Sequence, residues 1–175
     1  GVQTCALPIS LLQLLRSALL AACTLLFFHG VRLVELADAS AIMFTSPILL
    51  TVLAVPLLGE HIGPRRWIAV GVGFAGALIV VRPGLNIIGS GTLLLLAAAF
   101  CNALYQLTTR VLRTSDGPLT TTLYTALVGT VALSAVAPLS WVSPTSAHWV
   151  LYLLLGVLGG IGHFTLVKAF QCASA

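Results

Sequence analysis

ADASAIMFTSPILLTVLAVPLLGEHIGPRRWIAVGVGFAGALIVVRPG, residues Ala37 to Gly84, sets two oily segments on either side of a short turn that carries almost every charge in the window. Twenty-one residues separate Asp38 from Glu60 without a charge, and fifteen more lie between Arg66 and Arg82. Roughly 20 apolar residues in helical form cross about 30 Å of hydrocarbon. The stretch therefore reads as a membrane hairpin, whose shorter second arm needs its arginines to snorkel toward the headgroups. Gly59 stands where a helix C-cap wants a residue free of Cβ strain, and Pro64 stands at the opening of the next helix. The link is short and the two arms are antiparallel.

The rest of the chain agrees. Of its 175 residues 59% are hydrophobic and 7% charged, against about 45–50% and about 25% in soluble domains. A soluble globule of this size exposes more surface than so few polar groups can clothe. Eight bases against four acids punctuate oily runs, which suits lipid headgroups, and no basic stripe interleaved with aromatics points to nucleic acid. The chain is expected to meet a lipid bilayer and no nucleic acid.

Charge-free intervals give six spans, about 11 to 31, 39 to 58, 66 to 82, 88 to 109, 119 to 140 and 148 to 170. The connections RPGLNIIGSG (Arg82 to Gly91) and TSDGPLT (Thr114 to Thr120) are loops by their glycine and proline, and WVSPTSAHW (Trp141 to Trp149) divides the last two spans. Trp67, Trp141 and Trp149 fall at expected helix ends, as interfacial aromatics do. The first nine residues, GVQTCALPI, resemble a sequencing adapter translated in frame and are set apart from the fold, Cys5 with them. The last residue, Ala175, directly follows an oily segment with no polar tail. The expected object is thus a fragment truncated at both ends.

Six alternating crossings put Arg16, Arg65, Arg66, Arg110, Arg113 and Lys168 on one side of the membrane and Arg32 and Arg82 on the other. The crowded side is expected to be cytoplasmic. A shift of 136 lays Arg32 on Lys168, Glu35 on Gln171 and Ala37 on Ala173. Five crossings separate the two copies, so they would lie on opposite faces, the arrangement of an inverted repeat.

The Ala37 to Gly84 stretch, with a proline inside one helix, a Gly-Glu pair at its end and a glycine-rich helix after a short turn, resembles the core of the EamA-like family of the drug/metabolite transporter superfamily. Gly91 to Leu112 and the closing GHFTLVKAFQCASA resemble the matching parts of a second repeat. The resemblance, over about residues 12 to 175, implies a ten-helix transporter of two inverted five-helix halves. This chain would hold helices three to eight: residues 10–84 from the end of the first repeat, residues 85–175 from the start of the second. The expected fold class is all-α, a polytopic helical membrane protein with six transmembrane helices, a truncated inverted-repeat transporter. The function it implies is movement of a small polar metabolite by alternating access in the bacterial inner membrane, with no cofactor; a homodimer is left open.

Candidate substrate contacts follow from polarity. Asn102, Tyr105, Gln106 and Thr109 recur at three- and four-residue spacing and share a helical face. In lipid such a stripe faces a bundle interior or a wet cavity, and it either lines the cargo path or bonds neighbouring helices. Ser46 and Pro47 lie inside the second span, where the ring denies the Met43 carbonyl its usual donor. Broken membrane helices often turn backbone toward substrate, and simple packing kinks look the same. Pro56 and Pro138 suggest further bends. His163 is read as a bond to a neighbouring helix or to a ligand. Arg32 and Lys168 read as interfacial snorkels, and Glu60, beside His61, Arg65 and Arg66, as an ion pair fixing the turn or a gating group.

GVGFAG (Gly71 to Gly76) matches a dinucleotide-binding pattern, but no strand precedes it and no acid follows until Asp116. Close helix packing explains these glycines, as it does Gly156, Gly159 and Gly160. No spacing fits a metal site, and Cys23, Cys101 and Cys172 read as small apolar residues. Two other classes stay open. A membrane-embedded enzyme acting on lipid-linked substrates would need clustered acid, base and nucleophile groups, and the four acids all lie near helix ends. A non-transporting membrane assembly protein would have its polar groups satisfied by partners.

Overall fold

The computed structural model describes residues 6–59, 63–81, 89–112 and 117–172. Among these every regular element is helical: α1 (Ala6–Val31), α2 (Leu36–Met43), α3 (Ser46–Leu58), α4 (Pro64–Val81), α5 (Ser90–Val111), α6 (Pro118–Val136), a 3-10 turn (Ala137–Ser140) and α7 (Ser146–Cys172). Five stretches are long and apolar enough to cross a membrane: Leu11–Val31, Leu36–Leu58, Ser90–Val111, Pro118–Leu139 and Ser146–Phe170. Within α4 the apolar run is shorter, Trp67–Gly76, as the fifteen-residue gap between arginines predicts. The chain is an all-α polytopic membrane protein. Residues 6–9, set apart in the sequence reading, form the first turn of α1.

Punctuation is where the residues require it. Gly59 caps α3 at φ +65, a left-handed conformation that a Cβ would strain, and its N–H donates to the Val55 carbonyl at 3.0 Å. Pro64 opens α4 and Pro118 opens α6, both in first turns that spare no hydrogen bond. Pro138 ends α6 by passing it into the 3-10 turn, where a bend was expected. The Thr145 N–H donates to the His148 ring at 3.3 Å, closing the N-terminus of α7. Trp67, Trp141 and Trp149 all lie at helix ends and are exposed.

The chain forms two compact units, Leu19–Leu107 and a second made of Gly1–Ala18 with Thr108–Ala175. In the Leu19–Leu107 unit, Ala39, Ile42 and Leu95 form a core against which Phe27, Val31 and Val34 pack. Small residues allow this contact. A Cβ on Gly91 would stand 2.5 Å from Val34 Cγ2, and one on Gly30 would stand 2.7 Å from Leu95 Cγ. Along α5, Leu95, Ala98, Ala99 and Ala103 are wholly buried; their spacing puts them on one face, where small side chains let backbones approach. In the other unit α6 packs against α7.

The close packing expected of the α4 and α7 glycines is elsewhere. A Cβ on Gly71, Gly73, Gly76, Gly156, Gly159 or Gly160 would meet nothing within 4 Å. Spacing alone does not select a packing face, because a glycine is useful only where another backbone faces it, and among the described residues that happens at Gly30 and Gly91.

Candidate functional site

The second span is interrupted, as Pro47 predicts, but the geometry differs from a kink. α2 stops at Met43 and α3 restarts at Ser46, so Pro47 stands in the first turn of a new helix, where its missing N–H interrupts nothing. Between them the Phe44 N–H reaches the Ser40 and Ala41 carbonyls, both at 3.1 Å, and the Thr45 N–H reaches Ile42 at 3.0 Å. The Thr45 hydroxyl also donates to the Ile42 carbonyl at 2.7 Å, and that of Thr51 to Pro47 at 2.8 Å. These bonds satisfy backbone groups that a break inside hydrocarbon would otherwise strand.

At the restart Ser46 is buried, and its hydroxyl accepts a bond from Asn102 Nδ2 of α5 at 3.0 Å. Two residues predicted from separate parts of the chain thus meet. On α5, Tyr105 is buried and Gln106 half-buried, both within one helical turn of Asn102. Pro47, next to Ser46, is exposed. His163 is half-buried on α7 and belongs to the other compact unit. Arg32 and Lys168 are exposed. Glu60 lies outside the described residues.

The largest departure from the sequence reading is Arg16. Expected among the bases at the membrane surface, it is wholly buried, 0% exposed, together with Gln13 at 0%. Its Nε donates to Gln13 Oε1 at 3.0 Å, its Nη1 to Thr109 Oγ1 at 3.5 Å, and its Nη2 to the Thr121 carbonyl and to Thr125 Oγ1. Gln13 Nε2 in turn donates to Thr121 Oγ1 at 3.1 Å. The neutral acceptors of α5 and α6 give the guanidinium hydrogen bonds in place of those it loses with water, which burial of a charge demands. Sequence reading missed this set, although one signal was present: Gln13, Arg16 and Ser17 recur at i, i+3 and i+4, a polar stripe like that of α5.

With the geometry in view, the comparisons with known proteins are specific. The model of the EamA-like transporter family matches residues 5–82 and 89–175. A riboflavin transporter of Rhizobium johnstonii is 33% identical over 151 residues, 83% of this chain and 49% of the relative. An S-adenosylmethionine uptake transporter of Rickettsia prowazekii is 29% identical over 157 residues, 86% of this chain and 53% of the relative. A riboflavin transporter of Vibrio cholerae is 32% identical over 136 residues, 77% of this chain and 46% of the relative. The chain spans about half the length of the curated relatives it matches. No solved structure matches it significantly. A family match over nearly the whole chain, on helices long and apolar enough to span a bilayer, places this polypeptide in the EamA-like transporter family.

Proposed function

We propose that this chain is the metabolite-conducting part of a carrier that works by alternating access in the bacterial inner membrane, and that it is not an enzyme. The observation that carries this reading is the Asn102–Ser46 bond at the break between α2 and α3. A hydrogen-bonding pair set at an interrupted helix, inside an otherwise apolar span, is the kind of feature from which membrane carriers build substrate sites. Tyr105 and Gln106 extend the polar face by one turn. His163, in the other compact unit, is a separate candidate ligand group, and Glu60, Arg32 and Lys168 are candidate gating or anchoring groups. The match in two stretches, 5–82 and 89–175, supports a division into two repeats near residue 85; its first stretch includes residues 5–9, which the sequence reading had set apart.

The relatives' names suggest the class of cargo, a polar heterocyclic metabolite of the riboflavin or S-adenosylmethionine type. The test is uptake of labelled riboflavin and labelled S-adenosylmethionine by cells expressing the full-length protein. Uptake of either, reduced tenfold or more by Asn102→Leu with normal membrane abundance, is the expected result. Normal uptake by Asn102→Leu, with lower folding yield, would make the pair a structural bond between helices.

A further inference from the structure

We propose that Arg16 and the hydroxyls around it form a latch that closes one end of the conducting path, so that this cluster breaks and re-forms as the carrier changes state. The latch ties together the Gln13–Ser17 stretch of α1, the last turn of α5 through Thr109, and the first two turns of α6 through Thr121 and Thr125. All of these residues lie within one compact unit. Because only six residues separate α5 from α6, the cluster sits at one end of the spans, where an alternating carrier needs a door.

Its chemistry suits a door better than a permanent weld. The bonds that Arg16 makes to Gln13, Thr109, Thr121 and Thr125 go to neutral oxygens, which water can replace when the end opens. One of these hydroxyls has a second partner on its own helix: Thr125 Oγ1 donates to the Thr121 carbonyl at 2.9 Å. That hydroxyl stays satisfied with the arginine gone, so the open state strands fewer polar groups in the bilayer. The guanidinium, only a few residues inside the Leu11–Val31 span, can reach the interface by snorkelling once released. Both arrangements are therefore accessible, as a two-state element requires.

The proposal rests on the carrier reading, and the experiment separates the two. In the full-length protein the native cysteines, Cys23, Cys101 and Cys172 among them, are replaced and Leu112→Cys is introduced as a reporter; Leu112 is buried, one helical turn beyond Thr109. A membrane-impermeant maleimide is then applied to inside-out and right-side-out vesicles. The expected result is slow labelling in the parent, a rise of about tenfold in Arg16→Gln, and a smaller rise in Thr125→Val, each from one face only. Unchanged labelling in Thr125→Val and in a folded Arg16→Gln would overturn the latch, as would equal increases from both faces, which mean general loosening. Should Arg16→Gln not fold, Thr125→Val and Gln13→Leu carry the same test. Uptake is measured on the same vesicles: a parent that moves no tested metabolite counts against the carrier reading, whereas active transport with unchanged labelling counts against the latch alone.

Discussion

α5 and α7 are both long apolar helices, yet α5 has 39% of its membrane window buried within the chain and α7 only 6%. The buried helix is the less oily of the two. α5 carries Asn102, Tyr105, Gln106 and Thr109 beside its alanine stripe, whereas Leu151, Leu153, Leu155, Val157 and Leu158 on α7 are all more than half exposed. In water the order would be reversed. Where hydrocarbon is the solvent, apolar side chains gain nothing by leaving the surface, and helices associate through small residues and hydrogen bonds. Burial in this protein therefore follows polarity and small size.

The comparison breaks most visibly if side-chain volume is added to each side of it. Gly91→Leu, at the start of α5, would drive its Cβ into Val34, and a loss of about 3 kcal/mol or more of stability is expected from such overpacking. Gly159→Leu on α7 meets open space and should change stability by less than about 0.5 kcal/mol. Unfolding of both variants in mixed micelles measures the difference; similar losses would refute the assignment of packing faces.

Charge sharpens the contrast from the other side. Leu155→Arg places a cation at the middle of the exposed α7 surface, and an insertion penalty of about 2.5–3.5 kcal/mol is expected at a helix centre in lipid. A glycosylation or reporter assay of membrane insertion reads it directly. Full insertion efficiency would mean that this surface of α7 is wet.

Smaller effects probe the connections. Gly59→Ala must hold a Cβ at φ +65, and a destabilisation of about 1 kcal/mol is expected from left-handed backbone strain; an unchanged unfolding midpoint would mean that the turn relaxes freely. For the polar pair on α5, a double-mutant cycle of Ser46→Ala and Asn102→Ala should give a coupling of about 0.6 kcal/mol and no more than about 1.7, the range seen for hydrogen bonds between membrane helices. Zero coupling would remove the pair from the list of bonds holding α3 to α5.

Several features were legible in the chain before any coordinates. The oily intervals locate the helices to within a few residues, because an uncharged run of this length has few other options in lipid. Gly59, Pro64 and Pro118 mark helix boundaries through backbone chemistry that is local and independent of neighbours. Pro47 marks the interruption of the second span for the same reason. The polar face of α5 was also visible from spacing, although the structure divides its partners: Asn102 bonds Ser46, whereas Thr109 bonds Arg16.

Sequence alone therefore determined that hydrocarbon surrounds these helices, about where each span lies, and that α5 carries a polar face into the bilayer. Tertiary structure alone decided that Arg16 is buried and not a surface anchor, that Gly30 and Gly91 make the close contacts in place of the α4 and α7 glycines, and that Ser46 is the partner of Asn102. The physical reason is range. Transfer into lipid and backbone strain are summed over near neighbours along the chain, whereas the hydrogen-bond partners of Arg16 on α5 and α6 lie 93 to 109 residues away and exist only once the helices have packed.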